Sequence, residues 1–250
     1  KKIDGTVKVI SIIRDIVEIE ETFVKSTIVN YNGKPYGLIN LPKFYIDFEQ
    51  KSFRNSASDM AKEVERLKQE NVAGFIIDLR DNGGGSLETA IDIAGLFITD
   101  GPIVQVKYRG EEPTIKNDTD KKIAWDGPLV VLVNELSASA SEIFAAAMQD
   151  YKRAVIVGSK QTFGKGTVQN LLPLNNYYRY TDDLGALKIT IQKFYRVNGG
   201  STQLKGVNAD VALPDRYTYM EFGERDQKNP LGWDKIKEAK YQTWNNYDNL

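Results

Sequence analysis

Pro128-Leu-Val-Val-Leu-Val-Asn-Glu-Leu-Ser-Ala-Ser-Ala-Ser-Glu-Ile-Phe-Ala-Ala-Ala-Met-Gln-Asp150 is the stretch from which the fold is read. Its first six residues form a short apolar run rich in β-branched side chains, the mark of a strand buried on both faces. Its Ala-rich second half runs unbroken to Asp150 and favours a helix. Ser137, Ser139 and Ser141 therefore stand at a strand-to-helix junction. Backbone N–H groups there lack partners within the helix, and the helix dipole favours negative charge. A serine in that place is ordinarily a helix cap; the sharper alternative is a nucleophile.

Outward from this junction the same alternation repeats. Ala57, Met60, Ala61, Val64 and Leu67 recur at helical spacing, with Ser56 or Ser58 as the expected cap. Val72–Leu79 reads as a strand, residues 80–86 as a glycine loop, and Leu87, Ala90, Ile91, Ala94 and Phe97 as one face of a second helix. Pro102–Tyr108 is a further strand, 110–122 a polar loop, and Ala154–Val157 a strand ending at Gly158. Strands alternating with helices predict an α/β layered core around a largely parallel central sheet.

The flanks read as β-rich. Residues 7–29 suggest two or three strands, the end of a unit lying mostly before this chain. A turn at Asn32-Gly33-Lys34-Pro35 leads to a strand over 36–41, and the aromatic stretch Phe44–Phe48 suits core packing or a cleft wall. Beyond 165 come strands over 168–172 and 187–197, then a turn at 198–200. After Pro214 the chain is polar, with a short helix expected over 233–244. The expected division is thus a β-rich segment over 1–30, a core over 31–215 and a polar extension over 216–250.

The chain has 250 residues, 41% of them hydrophobic, enough to bury a sizeable core. Thirty-three basic and 34 acidic residues leave a net charge of −1, which argues for neither nucleic acid nor membrane surface as partner. No run approaches the roughly 18 apolar residues of a membrane span, and no signal peptide is read. The opening at Lys1-Lys2-Ile3 falls mid-pattern, as expected of a piece of something longer.

Two residue types are missing. Without cysteine there are no disulfides, thiolate metal sites or cysteine nucleophiles. Without histidine there is no Ser-His-Asp triad and no ordinary zinc site. Neither cofactor nor metal is called for. Hydrolytic chemistry here must use carboxylates, a lysine, or a metal held by oxygen ligands.

Two glycine loops bear on that choice. Gly83-Gly84-Gly85 lets N–H groups converge on an anion, but Glu88 stands where a dinucleotide fingerprint needs its third glycine. Gly158 to Thr167 resembles a phosphate loop, yet five residues separate its glycines and Gly166 replaces the magnesium-binding hydroxyl. Neither loop matches a nucleotide-binding pattern in full. Lys165 stands between Gly164 and Gly166, and a solvated surface lysine is the bland reading of it. Taken with the serines, however, it supplies what histidine cannot. A serine attacks a carbonyl only if a base removes its proton, and a lysine with its pKa of about 10.4 depressed by burial can do so. The oxyanion then needs N–H donors, which a glycine loop and the residue after the serine can provide.

Three blocks carry a family resemblance: Asp78-Leu-Arg-Asp-Asn-Gly-Gly-Gly85, Ser137-Ala-Ser-Ala-Ser-Glu-Ile143 and Thr162-Phe-Gly-Lys-Gly-Thr-Val-Gln169. Together with Phe194-Tyr-Arg-Val-Asn-Gly-Gly-Ser-Thr-Gln203 and Lys205-Gly-Val207, they resemble the C-terminal processing peptidases, which are Ser/Lys endopeptidases, and most of all their tail-specific branch. The similarity covers roughly residues 36–215.

It implies a crotonase/ClpP-like fold and assigns roles by position. Ser139 matches the nucleophile, Lys165 the base, and Gln169 the side chain that orients the lysine; a helix there would put Lys165 and Gln169 on one face. Gly85 and Ala140, with Gly84 less directly, match the oxyanion donors, and Asp150 an acidic residue expected to give structural support. The segment from Gly158 to Thr162 is one residue longer than the family's usual spacing. Ser137 and Ser141 keep the bland roles of turn and cap.

The resemblance further implies proteins with apolar, poorly structured C-terminal tails as substrates, an adaptor lipoprotein as a partner, and a periplasmic location. It also implies a preceding PDZ domain, of which residues 1–30 would be the tail end. Two other readings stay open at this level: a peptide-tail-binding module of the same fold without activity, and a nucleotide-binding α/β protein.

Overall fold

The computed structural model describes residues 3–9, 11, 20–46, 54–178 and 182–244. Its strands are β1 (Lys25–Tyr31), β2 (Lys34–Asn40), β3 (Phe75–Asp78), β4 (Gly101–Tyr108), β5 (Thr114–Asp118), β6 (Leu129–Val133), β7 (Val155–Gly158), β8 (Thr167–Pro173), β9 (Ala186–Tyr195) and β10 (Val211–Ala212). Its helices are α1 (Ser56–Gln69), α2 (Leu87–Gly95) and α3 (Ala140–Asp150).

The expected central sheet is present. Six strands run in the order β1-β2-β3-β6-β7-β10, parallel throughout except for the β1–β2 hairpin at one edge. The central strands β3 and β6 are short and apolar because both of their faces are covered. A second, antiparallel sheet has the order β5-β4-β9-β8.

α1 packs on β1, β2 and α2, while α2 rests on α3, β4 and β5, and α3 joins the two sheets through β7 and β4. Position explains composition. α1 is amphipathic, with Met60, Val64 and Leu67 wholly buried on one face, each such burial contributing roughly 1.5–3 kcal/mol. α3 is covered on all sides from Ala140 to Met148, and its alanines let neighbouring elements approach closely.

Several expectations need correction. α1 is capped by Asn55, whose side chain accepts from the Ser58 N–H at 2.8 Å; Ser56 and Ser58 lie inside the helix. The polar loop over 110–122 contains β5, an exposed edge strand with no buried face to impose apolar alternation. Val7 and Val9 are exposed and outside any strand, β1 begins at Lys25, and residues 10 and 12–19 lie outside the described residues.

Phe44 is a core side chain bridged to Gly85, whereas Asp47 and Phe48 fall outside the described residues. The helix expected over 233–244 is an extended strap instead. Its N–H groups bond across to the β9 exit and to α3: Ile236 to Gly199 O, Ala239 to Val197 O and Trp244 to Tyr151 O. An extended strap can spend its backbone donors on neighbours, which a helix cannot.

Candidate active site

Parallel strands β2, β3, β6 and β7 end at one edge of the sheet, and the loops that follow β3, β6 and β7 converge there, as sites in α/β sheets do. Ser139, at the mouth of α3, has φ 59° and ψ −112°. Positive φ is costly for a residue with a Cβ and persists only where surrounding contacts enforce it. Those contacts can be named. Ser137 Oγ donates to Leu79 O at 2.8 Å and Ser141 Oγ to Asn82 O at 2.9 Å, while the Ala138 N–H donates to Asn82 O. The outer serines thus tie the turn to the glycine loop; Ser141 is not a cap.

The glycine loop is shaped to meet this turn. Gly84 has φ +100°, and a Cβ there would lie 2.7 Å from Ala138 O and 2.8 Å from Ser139 Cβ. Its N–H donates to the buried Asn82 Oδ1 at 2.9 Å, which withdraws Gly84 from the expected oxyanion donors. Gly85 differs. Phe44 bonds to Gly84 O and to the Ser86 N–H, so in strand-like alternation the Gly85 N–H points to the other side. Ala140 opens α3, where N–H groups are free of intrahelical bonds.

The lysine loop meets the serine turn through a residue the sequence reading passed over. Glu142, wholly buried, accepts from the Ser139 N–H (2.8 Å), the Gly164 N–H (2.7 Å), the Lys165 N–H (2.9 Å) and Thr162 Oγ1 (2.6 Å). One carboxylate therefore fixes both residues 139 and 165. Burial pushes its pKa up to about 7, against the pull of the four donors. The spacing Ser139-x-x-Glu142 is that of a capping box, the one signal in the sequence that points to it.

Lys165 is half-buried, and its Nζ lies 3.3 Å from Gln169 Oε1. The expected i+4 contact is made, but between the loop before β8 and the strand itself. Gln169 belongs to β8, and a register shift between Val168 and Gln169 alters the strand's alternation there. The Lys165 pKa is lowered, first by desolvation and then by the charge of Lys188, while Glu224 and Glu142 act the other way.

From below, Thr202 Oγ1 donates to Lys165 O and the Gly166 N–H to the buried Gln203 Oε1. These residues come from the Phe194–Gln203 block. Ser139, Ala140, Gly83, Gly85, Lys165, Gln169 and Lys188 line one cleft of about 270 Å³. Asp150 stands apart at the far end of α3. Its carboxylate accepts from Arg196 Nη2 at 2.6 Å and Nε at 3.0 Å, and from Asn198 Nδ2 at 2.8 Å.

Fold and site together define a mixed α/β protein with a serine, a lysine and a glycine loop brought to one cleft at one sheet edge. Residues 35–213 match the model of peptidase family S41, and the chain belongs to that family. Residues 217–250 match the C-terminal domain of tail-specific protease. The chain is 46% identical over 238 residues to a tail-specific protease of Haemophilus influenzae, covering 95% of this chain and 33% of that one. It is 34% identical over 218 residues to a carboxy-terminal-processing protease of Bartonella bacilliformis, covering 83% and 45%. Among solved structures it resembles the photosystem II D1 C-terminal processing protease, at TM-score 0.62 and 27% identity over 76% of this chain and 48% of that one. The chain thus spans between a third and a half of the length of these relatives.

Proposed function

We propose that this chain carries the catalytic core of a serine endopeptidase in which Ser139 is the nucleophile and Lys165 its general base. The observation that carries the reading is the shared cleft of Ser139, Ala140, Gly85, Lys165 and Gln169. In a chain without histidine, Lys165 takes the Ser139 proton as the hydroxyl attacks the scissile carbonyl. The oxyanion forms against the N–H groups of Gly85 and Ala140. The protonated lysine then donates to the leaving amine, and water resolves the acyl-enzyme. Gln169 orients the lysine, and Asp150 supports the end of α3.

The substrates in this reading are proteins with apolar, poorly structured C-terminal tails, as the resemblance to the tail-specific branch implies; a relative at 46% identity carries the name tail-specific protease. The wider reading includes a crotonase/ClpP-like core over 31–215 with β-rich flanks, a PDZ-type domain ending within residues 1–30, a polar extension over 216–250, a periplasmic location and an adaptor lipoprotein.

The test is cleavage of such a protein by Ser139→Ala and Lys165→Ala variants of the intact protein. Each is expected to lose at least about a thousandfold in kcat/KM while keeping the wild-type circular dichroism; removal of a nucleophile or its base has effects of this order. Undiminished cleavage by either variant sinks the dyad.

A further inference from the structure

We propose that Lys188 is a positioning residue of this site, a second cation on the cleft wall that disfavours a proton on Lys165 and so keeps the base ready. The inference rests on the reading of Lys165 as general base and goes beyond it in naming what tunes that base.

The geometry is that of the β8–β9 hairpin. Gln169 pairs with Thr190 and Leu171 with Lys188, so both pairs share a face and Lys188 lies one step farther along the hairpin than the glutamine. The hairpin thereby delivers Lys188 to the same cleft as Ser139, Lys165 and Gln169. It is solvent-exposed, and among the described residues no carboxylate lies within ion-pair distance of it. With no carboxylate beside it, its charge is not offset locally and acts, screened by solvent, on the groups that share the cleft.

The charged groups around Lys165 can be taken element by element. From α3 comes Glu142, whose carboxylate is engaged by four donors. From the turn over Glu224–Asp226 comes Glu224, which accepts from Gln203 Nε2 at 3.1 Å. β8 contributes the neutral Gln169. β9 contributes Lys188.

The two carboxylates favour a protonated Lys165, and Lys188 opposes them; its effect on the Lys165 pKa ranks next after that of burial. Lys165 is only half-covered, so burial lowers its affinity for a proton less than full enclosure would. A neighbouring cation is one established way of lowering an amine's affinity for its proton.

The experiment is the pH profile of single-turnover acylation at Ser139 in the intact protein, using an uncharged substrate so that Lys188 has no carboxylate of the substrate to bind. Lys188→Met is expected to move the acidic limb of the profile to higher pH. The rate near neutrality should then be roughly two- to fivefold lower, the scale of interactions between partly exposed charges, with full recovery at alkaline pH. Lys188→Arg, which keeps the charge, is expected to restore the wild-type limb. Added salt should narrow the gap between the wild-type limb and that of Lys188→Met, because screening removes from the wild type what the substitution has already removed.

A limb that does not move in Lys188→Met, or a rate that falls equally at every pH, overturns the inference while Lys165 remains the base. Acylation that survives Lys165→Ala overturns the reading beneath it.

Discussion

Glu142 shows how one side chain can set the geometry of two others. Its carboxylate meets donors from the serine turn and from the lysine loop. Replacing it by glutamine puts an NH₂ group against N–H donors and leaves buried groups unsatisfied. Glu142→Gln is expected to lower stability by roughly 1–3 kcal/mol, read from urea unfolding, and to cut activity beyond that loss.

The pH dependence has a definite sign. The folded-state pKa of about 7 lies above the ordinary 4.5, so between these values the folded state holds a proton that the unfolded state has lost. Stability therefore falls as pH rises through this window. Glu142→Gln should lack that part of the slope; an identical slope in both proteins contradicts the assignment. The three blocks that carry the candidate site were legible in the sequence because each is local, whereas nothing local marks Glu142 beyond its spacing from Ser139. Its other partners lie some twenty residues away, and only the fold brings them within reach.

At the scale of elements, α3 is pinned at both ends. Its N-terminus is held by Asn82 and Glu142, and its C-terminus by the pair Asp150–Arg196. Asp150 and Arg196 are both largely buried, with side chains 6% and 16% exposed. Removing one partner strands the other's charge, so Asp150→Ala is expected to cost about 3–5 kcal/mol. Asp150→Ala combined with Arg196→Ala should be less destabilising than the sum of the single changes, a coupling readable in a double-mutant cycle. Strict additivity contradicts the pairing.

Elements also mark where periodicity misleads. The spacing of Lys165 and Gln169 fits a helix, but Lys165 stands in the loop before β8 and Gln169 within that edge strand, next to a register shift, and the two side chains meet there. β5 escaped notice for a related reason. An exposed edge strand buries no face, so alternation has nothing to act on.

For the whole molecule, the polar C-terminal region is integral to the site's support. The Glu224 N–H bonds to Phe163 O beside the lysine loop. Gln203, which holds the Gly166 N–H, is itself held by Glu224 Oε1 and Leu231 O. Farther along, Trp244 covers Arg153, a buried guanidinium that bonds to Phe97 O and Trp125 O. Deleting the chain after residue 216 is expected to lower the thermal midpoint and abolish activity. A truncated protein with an unchanged midpoint contradicts this support.

What the sequence determined by itself is whatever depends on neighbours in the chain. That covers the alternation of strand and helix, the glycine loop, the serine at a helix mouth, and, without histidine, a choice among carboxylates, a lysine and an oxygen-held metal for any hydrolytic chemistry. What only the tertiary structure decided depends on contacts across the chain. It withdrew the Gly84 N–H through Asn82, joined the serine turn to the lysine loop through Glu142, and brought Lys188 into the cleft. Hydrogen bonds and fields act over a few ångströms of space, and residues 139, 165 and 188 acquire that proximity only once both sheets have closed around α3.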